Sequence, residues 1–334
     1  MAPRHDSLGA GGARAASALQ QMGRNAIGSV AAPSNAHRVA LRTSAHPHHG
    51  ALERSLSTTT VQTRILFVTA GVSRSREGLV RTSILARALE AELHVLSVVP
   101  SAHRMDSIVR NTHFVYDGVS LQRYLEACRQ LQAWCQDLVP PECWQVRMGN
   151  FFEEVEIHTQ TLHIDLVVLA PGNPHAGERV TSLARTTGLP VLFSRATIAA
   201  NRTVVAATDL LGPHYPVLDR AADFGLRLGA RVVALHNVAP RTRLESNPAQ
   251  YRTGVRREQL TRATSQLSIA VTSVVAREAD PVEAILRQAV GEDAGVILVG
   301  TRRHSWMHRL ITDSVSARVV DEAQRSVLVI PFGD

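Results

Sequence analysis

The sequence predicts an α/β protein made of two tandem, doubly wound parallel sheets of five strands each. Short, continuously apolar runs alternate with amphipathic helical segments, which is typical of strands buried on both faces of a parallel sheet. The whole alternation occurs twice, and 203–208 corresponds to 64–69. We therefore expect one domain over 63–197 and a second over 201–334, preceded by a tail of residues 1–62.

The tail lacks the hydrophobic periodicity of the remaining chain. It is rich in Ala, Ser, Gly, Arg and His, and it contains too little apolar surface to offset the entropy of ordering, so we expect disorder. An organelle transit peptide or a misplaced start codon would also explain this composition. His46, His48 and His49 cluster there, but no cysteine or carboxylate pattern completes a metal-ligand set. Solvated chain is the preferred interpretation.

In the first domain, apolar runs indicate strands and a 3.6-residue period indicates helices. The expected strands are 65–69, 93–99, 143–148, 164–170 and 190–194. The expected helices are 77–91, 120–138, 151–161 and 176–186. The order of elements is therefore β-α-β-α-β-α-β-α-β.

The second domain repeats this order. The expected strands are 203–208, 231–238, 268–276, 295–300 and 326–330. The expected helices are 215–228, 244–267, 281–290 and 312–323. Because helices follow parallel strands, the loops after the strands meet at one edge of the sheet, where open α/β sheets bind ligands.

The charge distribution argues against a nucleic-acid-binding protein. All 36 basic residues are arginine, which we attribute to coding bias. The formal net charge is +7, but a net of +4 belongs to residues 1–63, where six arginines face Asp6 and Glu53. The folded part is therefore only weakly basic, and nucleic acid is an unlikely partner apart from a possible contact through the tail.

The three cysteines, Cys128, Cys135 and Cys143, have no CxxC spacing. This pattern argues against a disulfide framework and against a zinc site, and no metal is expected. Cys128 and Cys135 share one helical face, which favours buried apolar residues over a redox pair.

No apolar run approaches the roughly 20 residues of a membrane helix. We therefore expect a cytoplasmic protein with no membrane association.

The last third of the second domain carries a recognisable spacing. Gly300 follows a strand, and Arg303, Asp313 and Ser314 come at fixed distances after it. This frame resembles the Gly-x2-Gly-x9-Gly-Ser/Thr pattern of the universal stress protein family, whose fold is similar to that of the adenine-nucleotide α-hydrolases. In that family the pattern wraps the phosphates of ATP. Here Arg303 and Asp313 occupy two of the three glycine places, and family members without these glycines form a branch that does not bind ATP.

The resemblance also nominates Asp209, because an Asp directly after the first strand contacts adenosine in the family. A turn residue is the alternative interpretation of Asp209. The first domain has Ala70 and Ala170 where the second has Asp209 and Gly300, and its loop is shorter. We therefore expect the first domain to have a structural role and to bind no nucleotide.

The loop after Gly300 is basic. Its cationic residues are Arg302, Arg303, His304, His308 and Arg309. They indicate either an anion site made of side chains or a solvated loop pinned by Trp306. Asp313 is expected to cap the following helix and so to occupy N–H groups that a phosphate would need.

No catalytic signature is present in the sequence, neither GxGxxG after the first strand nor GxxxxGK[ST], HExxH or GxSxG, so we expect no enzyme. The sequence predicts a non-enzymatic universal stress response protein that acts through protein contacts, with lost or weak ATP binding and no cofactor. The alternative is an adenine-nucleotide sensor with slow ATPase activity. We expect the two domains to form an internal pseudo-dimer through 190–194 and 326–330, and a homodimer is possible; the partner protein is unknown.

Overall fold

A computed structural model describes residues 62–70, 75–100, 118–172, 175–198, 203–211, 215–240, 248–303 and 314–333. Nearly all of the tail expected over 1–62 lies outside these residues. The described strands are β1 Arg64–Thr69, β2 Glu92–Pro100, β3 Trp144–Gly149, β4 Leu166–Leu169, β5 Val191–Phe193, β6 Thr203–Ala207, β7 Val232–Asn237, β8 Val271–Ala276, β9 Ala294–Arg302 and β10 Ser326–Phe332.

The described helices cover the sheet on both faces. They are α1 Ser75–Ala88, α2 Gly118–Cys135, α3 Phe151–Thr161, α4 Ala176–Thr187, α5 Pro216–Leu228, α6 Pro248–Ser265, α7 Pro281–Gly291 and α8 Val315–Glu322, with a 3₁₀ turn at Pro141–Cys143. The tandem α/β fold is confirmed, and most predicted boundaries lie within a few residues of the observed ones.

The strands form one sheet in the order β3-β2-β1-β4-β5-β10-β9-β6-β7-β8. Within each half all neighbouring strands are parallel. The halves meet where β5 and β10 pair antiparallel, with Leu192 opposite Leu328. The two predicted five-stranded sheets are therefore continuous, because the last strand of each half provides the partner for the other.

Alternation along the strands builds two core layers. Ile65 and Phe67 point into one layer, and Leu66 and Val68 point into the other. All four side chains are at most 2% exposed. Burial on both faces is why these strands have continuous apolar sequences rather than alternating polar and apolar residues. Among the described helices, none is long and apolar enough to cross a membrane.

Candidate ligand-binding crevice

A cavity of about 550 Å³ opens in the second half at the carboxyl ends of β6, β7 and β9. Its polar and aromatic walls include Asp209, Tyr215, His236, Arg302, Ser314 and Phe332. Small-molecule pockets commonly have volumes of roughly 300–1,000 Å³. The crevice is therefore large enough for a ligand of nucleotide size, and it lies where open α/β sheets bind ligands.

Asp209 lies two residues after β6 and is half-exposed. Its Oδ1 accepts a 3.0 Å hydrogen bond from the backbone N–H of Leu211, which closes a turn around Leu210. Leu210 has a φ of 53°, a left-handed conformation that leucine rarely adopts. The other carboxylate oxygen lies 3.7 Å from Arg302 Nη2. Asp209 therefore stabilises the turn and lies near the Arg302 guanidinium, in addition to lining the crevice.

Gly300 lies in β9 against an aromatic ring. A Cβ at this position would lie 2.5 Å from Phe332 Cε1 and 3.0 Å from Val217 Cγ2. A larger residue at Gly300 would therefore require the Phe332 ring to move, whether or not a ligand binds.

Arg303 is the one described residue of the predicted motif that does not line the crevice. Strand β9 continues to Arg302, which pairs with Phe332. Successive side chains of a strand point to opposite faces. The Arg302 side chain therefore lines the crevice, and the Arg303 side chain points away from it. The Arg303 guanidinium lies beside Gly188 at the end of α4, about 3.1 Å from where a Cβ would stand. Its backbone N–H donates a 2.9 Å hydrogen bond to the Phe332 carbonyl.

Ser314 caps α8 at the edge of the crevice. Its Oγ accepts a 3.1 Å hydrogen bond from the backbone N–H of Ala317. The expectation that Asp313 caps this helix is wrong, because Ser314 has the extended backbone of a cap and provides the accepting oxygen. Asp313 itself lies outside the described residues, as do His304, Trp306, His308 and Arg309 of the basic loop.

His236, near the end of β7, is a crevice residue that the sequence analysis did not single out. Its Nδ1 donates a 2.9 Å hydrogen bond to the Thr208 carbonyl, and the residue is 7% exposed. Burial lowers the pKa of the imidazole, and Arg256 lowers it further, against the raising effects of the Thr208 carbonyl and Asp209. A neutral ring with its proton on Nδ1 has an acceptor at Nε2. One signal in the sequence could have identified His236. It lies near the end of an apolar run, β7, and β7 pairs with β6, the strand that leads to Asp209.

The equivalent place in the first half is nearly filled. Its cavity is only about 40 Å³. The Phe151 ring and the Arg179 guanidinium lie in its wall, with the Arg179 Cζ 3.6 Å from the ring centre. Ala70 and Ala170 line it in place of an acid and a glycine. The two halves share a fold, but the cavity of the second half has more than ten times the volume of the cavity in the first.

Fold and crevice together define a class: two fused α/β units with an open crevice in the second unit. Residues 200–331 match the sequence model of the universal stress protein family, and this half belongs to that stress-related family. The predicted resemblance is therefore confirmed.

Two solved structures share the fold of the whole described chain. A protein of unknown function from Pseudomonas aeruginosa PAO1 is 16% identical, with a TM-score of 0.54 over 81% of this chain and 93% of that one. A universal stress protein from Archaeoglobus fulgidus DSM 4304 is 14% identical, with a TM-score of 0.54 over 81% and 97% of the two chains. No curated protein sequence matches the chain.

Proposed function

We propose that the chain is a non-enzymatic stress-response protein that acts through protein contacts, with ATP binding that is lost or weaker than millimolar. The observation that carries this proposal is the placement of Arg303. Where the family pattern has a phosphate-wrapping glycine, the backbone N–H of Arg303 is bonded to Phe332 and the side chain leaves the crevice. A phosphate group would therefore lack this backbone donor.

The polar groups of the crevice support a non-enzymatic role. His236 donates to the Thr208 carbonyl, and Asp209 accepts from Leu211 and faces Arg302. Ser314 is engaged as the cap of α8. Each of these groups therefore has a structural partner within the protein, which accounts for its presence without a catalytic step.

The retained features favour the nucleoside part of a ligand over its phosphates. Asp209 stands at the place that contacts adenosine in the family, and the neutral His236 ring offers an acceptor. We therefore expect AMP and adenosine to bind at least as well as ATP, the reverse of a site that wraps phosphates.

Calorimetry of the full chain with magnesium and ATP tests the proposal. No saturable heat is expected at low millimolar ATP, whereas a micromolar dissociation constant contradicts it, since the two affinities differ by about 4 kcal/mol. Arg303→Gly combined with Asp313→Gly restores the family pattern and should increase ATP affinity. Adding Asp209→Ala to that variant is the control, because a gain made in the crevice should then be lost.

A second candidate is an adenine-nucleotide sensor with slow ATPase activity. The observation in its favour is the open crevice, because the arginine that replaces the second glycine does not fill it. Micromolar ATP binding with slow release of phosphate, both reduced by Asp209→Ala, would establish this candidate in place of the first.

A further inference from the structure

Three metal-binding side chain types converge at the amino ends of β2 and β3, in the first half of the sheet. Glu92 and His94 lie at the start of β2, and Cys143 ends the 3₁₀ turn that leads into β3. One ligand atom of each residue lies within 4.8 Å of the others. Helix α2 separates Cys143 from the other two in the sequence, so the fold and not a local motif brings them together.

Two of these atoms have nearly the spacing of neighbouring ligands around one tetrahedral ion, and the Cys143 sulfur lies within 4.8 Å of both. His94 Nε2 and Glu92 Oε1 are 3.2 Å apart. Zinc bonds to nitrogen, oxygen and sulfur of about 2.0–2.3 Å place neighbouring ligands of a tetrahedron about 3.3–3.7 Å apart. The histidine and the carboxylate are therefore already separated by nearly the distance that a shared zinc ion would impose.

A buried atom without a hydrogen bond independently points to a ligand here. His94 is 9% exposed, and its Nε2 makes no hydrogen bond of regular geometry, although Glu92 Oε1 lies 3.2 Å away. A buried polar atom that lacks a partner is costly and rare.

The surroundings also suit a metal. Arg64 Nε donates a 3.1 Å hydrogen bond to Glu92 Oε2, which orients the carboxylate and leaves Oε1 for an ion. Glu92 and Cys143 are partly exposed, so an ion has access from solvent. A carboxylate and a thiolate together balance the charge of a divalent cation.

We propose that Glu92, His94 and Cys143 bind a zinc ion, with water in the fourth position. A thiolate and an imidazole favour zinc over magnesium or calcium. The bound ion links β3, the outermost strand, to β2, because Cys143 directly precedes β3 and the other two ligands lie in β2. The expectation of no metal followed from the missing CxxC spacing, which does not detect ligands that converge from distant elements.

Cobalt titration of the reduced, chelator-treated full chain tests the site, because a cobalt–thiolate bond has a charge-transfer absorption that histidine ligands do not produce. This readout matters because His46, His48 and His49 offer competing imidazoles. We expect the band to saturate at one equivalent and to disappear when zinc displaces cobalt. Cys143→Ser should abolish the band, and the matched control Cys128→Ser should keep it.

His94→Gln and Glu92→Gln should each weaken cobalt binding by at least about tenfold, since even outer-sphere partners of metal ligands contribute that much. A second readout uses the unaltered protein, in which zinc should protect Cys143 but not Cys128 from alkylation, as read by peptide mass spectrometry. The proposal is overturned if cobalt gives no thiolate band, if Cys143→Ser keeps the band, or if zinc leaves the alkylation of Cys143 unchanged.

Discussion

The backbone N–H of Gly177 donates a 2.8 Å hydrogen bond to Asp321 Oδ1, which ties the first turn of α4 to α8 in the other half of the chain. A carboxylate near a helix amino terminus is stabilising, because free N–H groups and the helix dipole are positive there. The helices approach so closely that a Cβ on Gly177 would lie 2.1 Å from the Ala317 carbonyl oxygen. Together with the pairing of β5 and β10, this contact joins the halves.

Gly177→Ala should therefore destabilise the protein. The methyl group meets backbone, which cannot rotate away, and overpacking of this kind costs about 1–3 kcal/mol or more. Urea denaturation should show a lower midpoint. Gly254→Ala is the matched control, because this glycine lies in helix α6 with nothing within 4 Å of the added methyl. It should be neutral or stabilising by up to about 1 kcal/mol, since alanine favours helix over glycine. Equal effects of the two substitutions would show that the contact at Gly177 is unimportant.

Separating the halves should expose the strands that join them. β5 and β10 pair through buried apolar residues such as Leu192 and Leu328. An apolar edge strand without a partner promotes association. Fragments cut near residue 200 should aggregate alone or associate when mixed, as measured by size-exclusion chromatography with light scattering. If each fragment is a soluble monomer and the two do not associate when mixed, the prediction is wrong.

The three cysteines should differ in reactivity in the native, metal-free protein. Burial raises the pKa of Cys135 to about 12, and its side chain is inaccessible. Since the thiolate is the nucleophile, Cys135 should resist iodoacetamide until the protein unfolds. Cys128 and Cys143 are partly exposed and should react, although more slowly than a free thiol, because burial also raises the pKa of each. Modification of Cys135 at the rate of Cys128 would contradict this order.

Element order was predictable from the sequence because strands buried on both faces of a parallel sheet are apolar at most positions, which distinguishes them from amphipathic helices. The extension of β9 was not predictable, since Thr301 and Arg302 are polar and join the strand only because Pro331 and Phe332 provide partners in β10. Because β9 extends to Arg302, the side chain of Arg303 points away from the crevice. The spacing of the motif gave its position in the sequence but not the direction of its side chain.

Within the candidate site, Asp209, Gly300 and Ser314 are brought together as the motif suggested. His236 was missed because its importance depends on the neighbouring strand, whose Thr208 carbonyl fixes the ring. The cluster of Glu92, His94 and Cys143 was missed for the same reason. Contacts across strands are set by topology, and a linear motif does not contain them.

Stability should fall as the pH is lowered, and His236 should account for part of that fall. The pKa of its buried ring is lowered from the ordinary 6.5, mainly by desolvation. Well above pH 6.5 the ring is neutral in both the folded and the unfolded state, so the stabilisation by this group is fully present there. Below that pH the unfolded chain binds a proton that the folded protein does not, and the free energy of unfolding falls until the pH reaches the lowered pKa of the folded state.

His236→Gln should reduce this dependence. The free energy of unfolding, measured by urea denaturation with chelator at about pH 7.5 and about pH 5.5, should fall less in the variant than in the unaltered protein, because glutamine has no proton to bind. The dependence should not vanish, since the pKa of His94 is also lowered by burial. If the variant and the unaltered protein lost the same free energy between the two pH values, His236 would not be held neutral by the fold, and its Nε2 would not be the acceptor that the crevice offers a ligand.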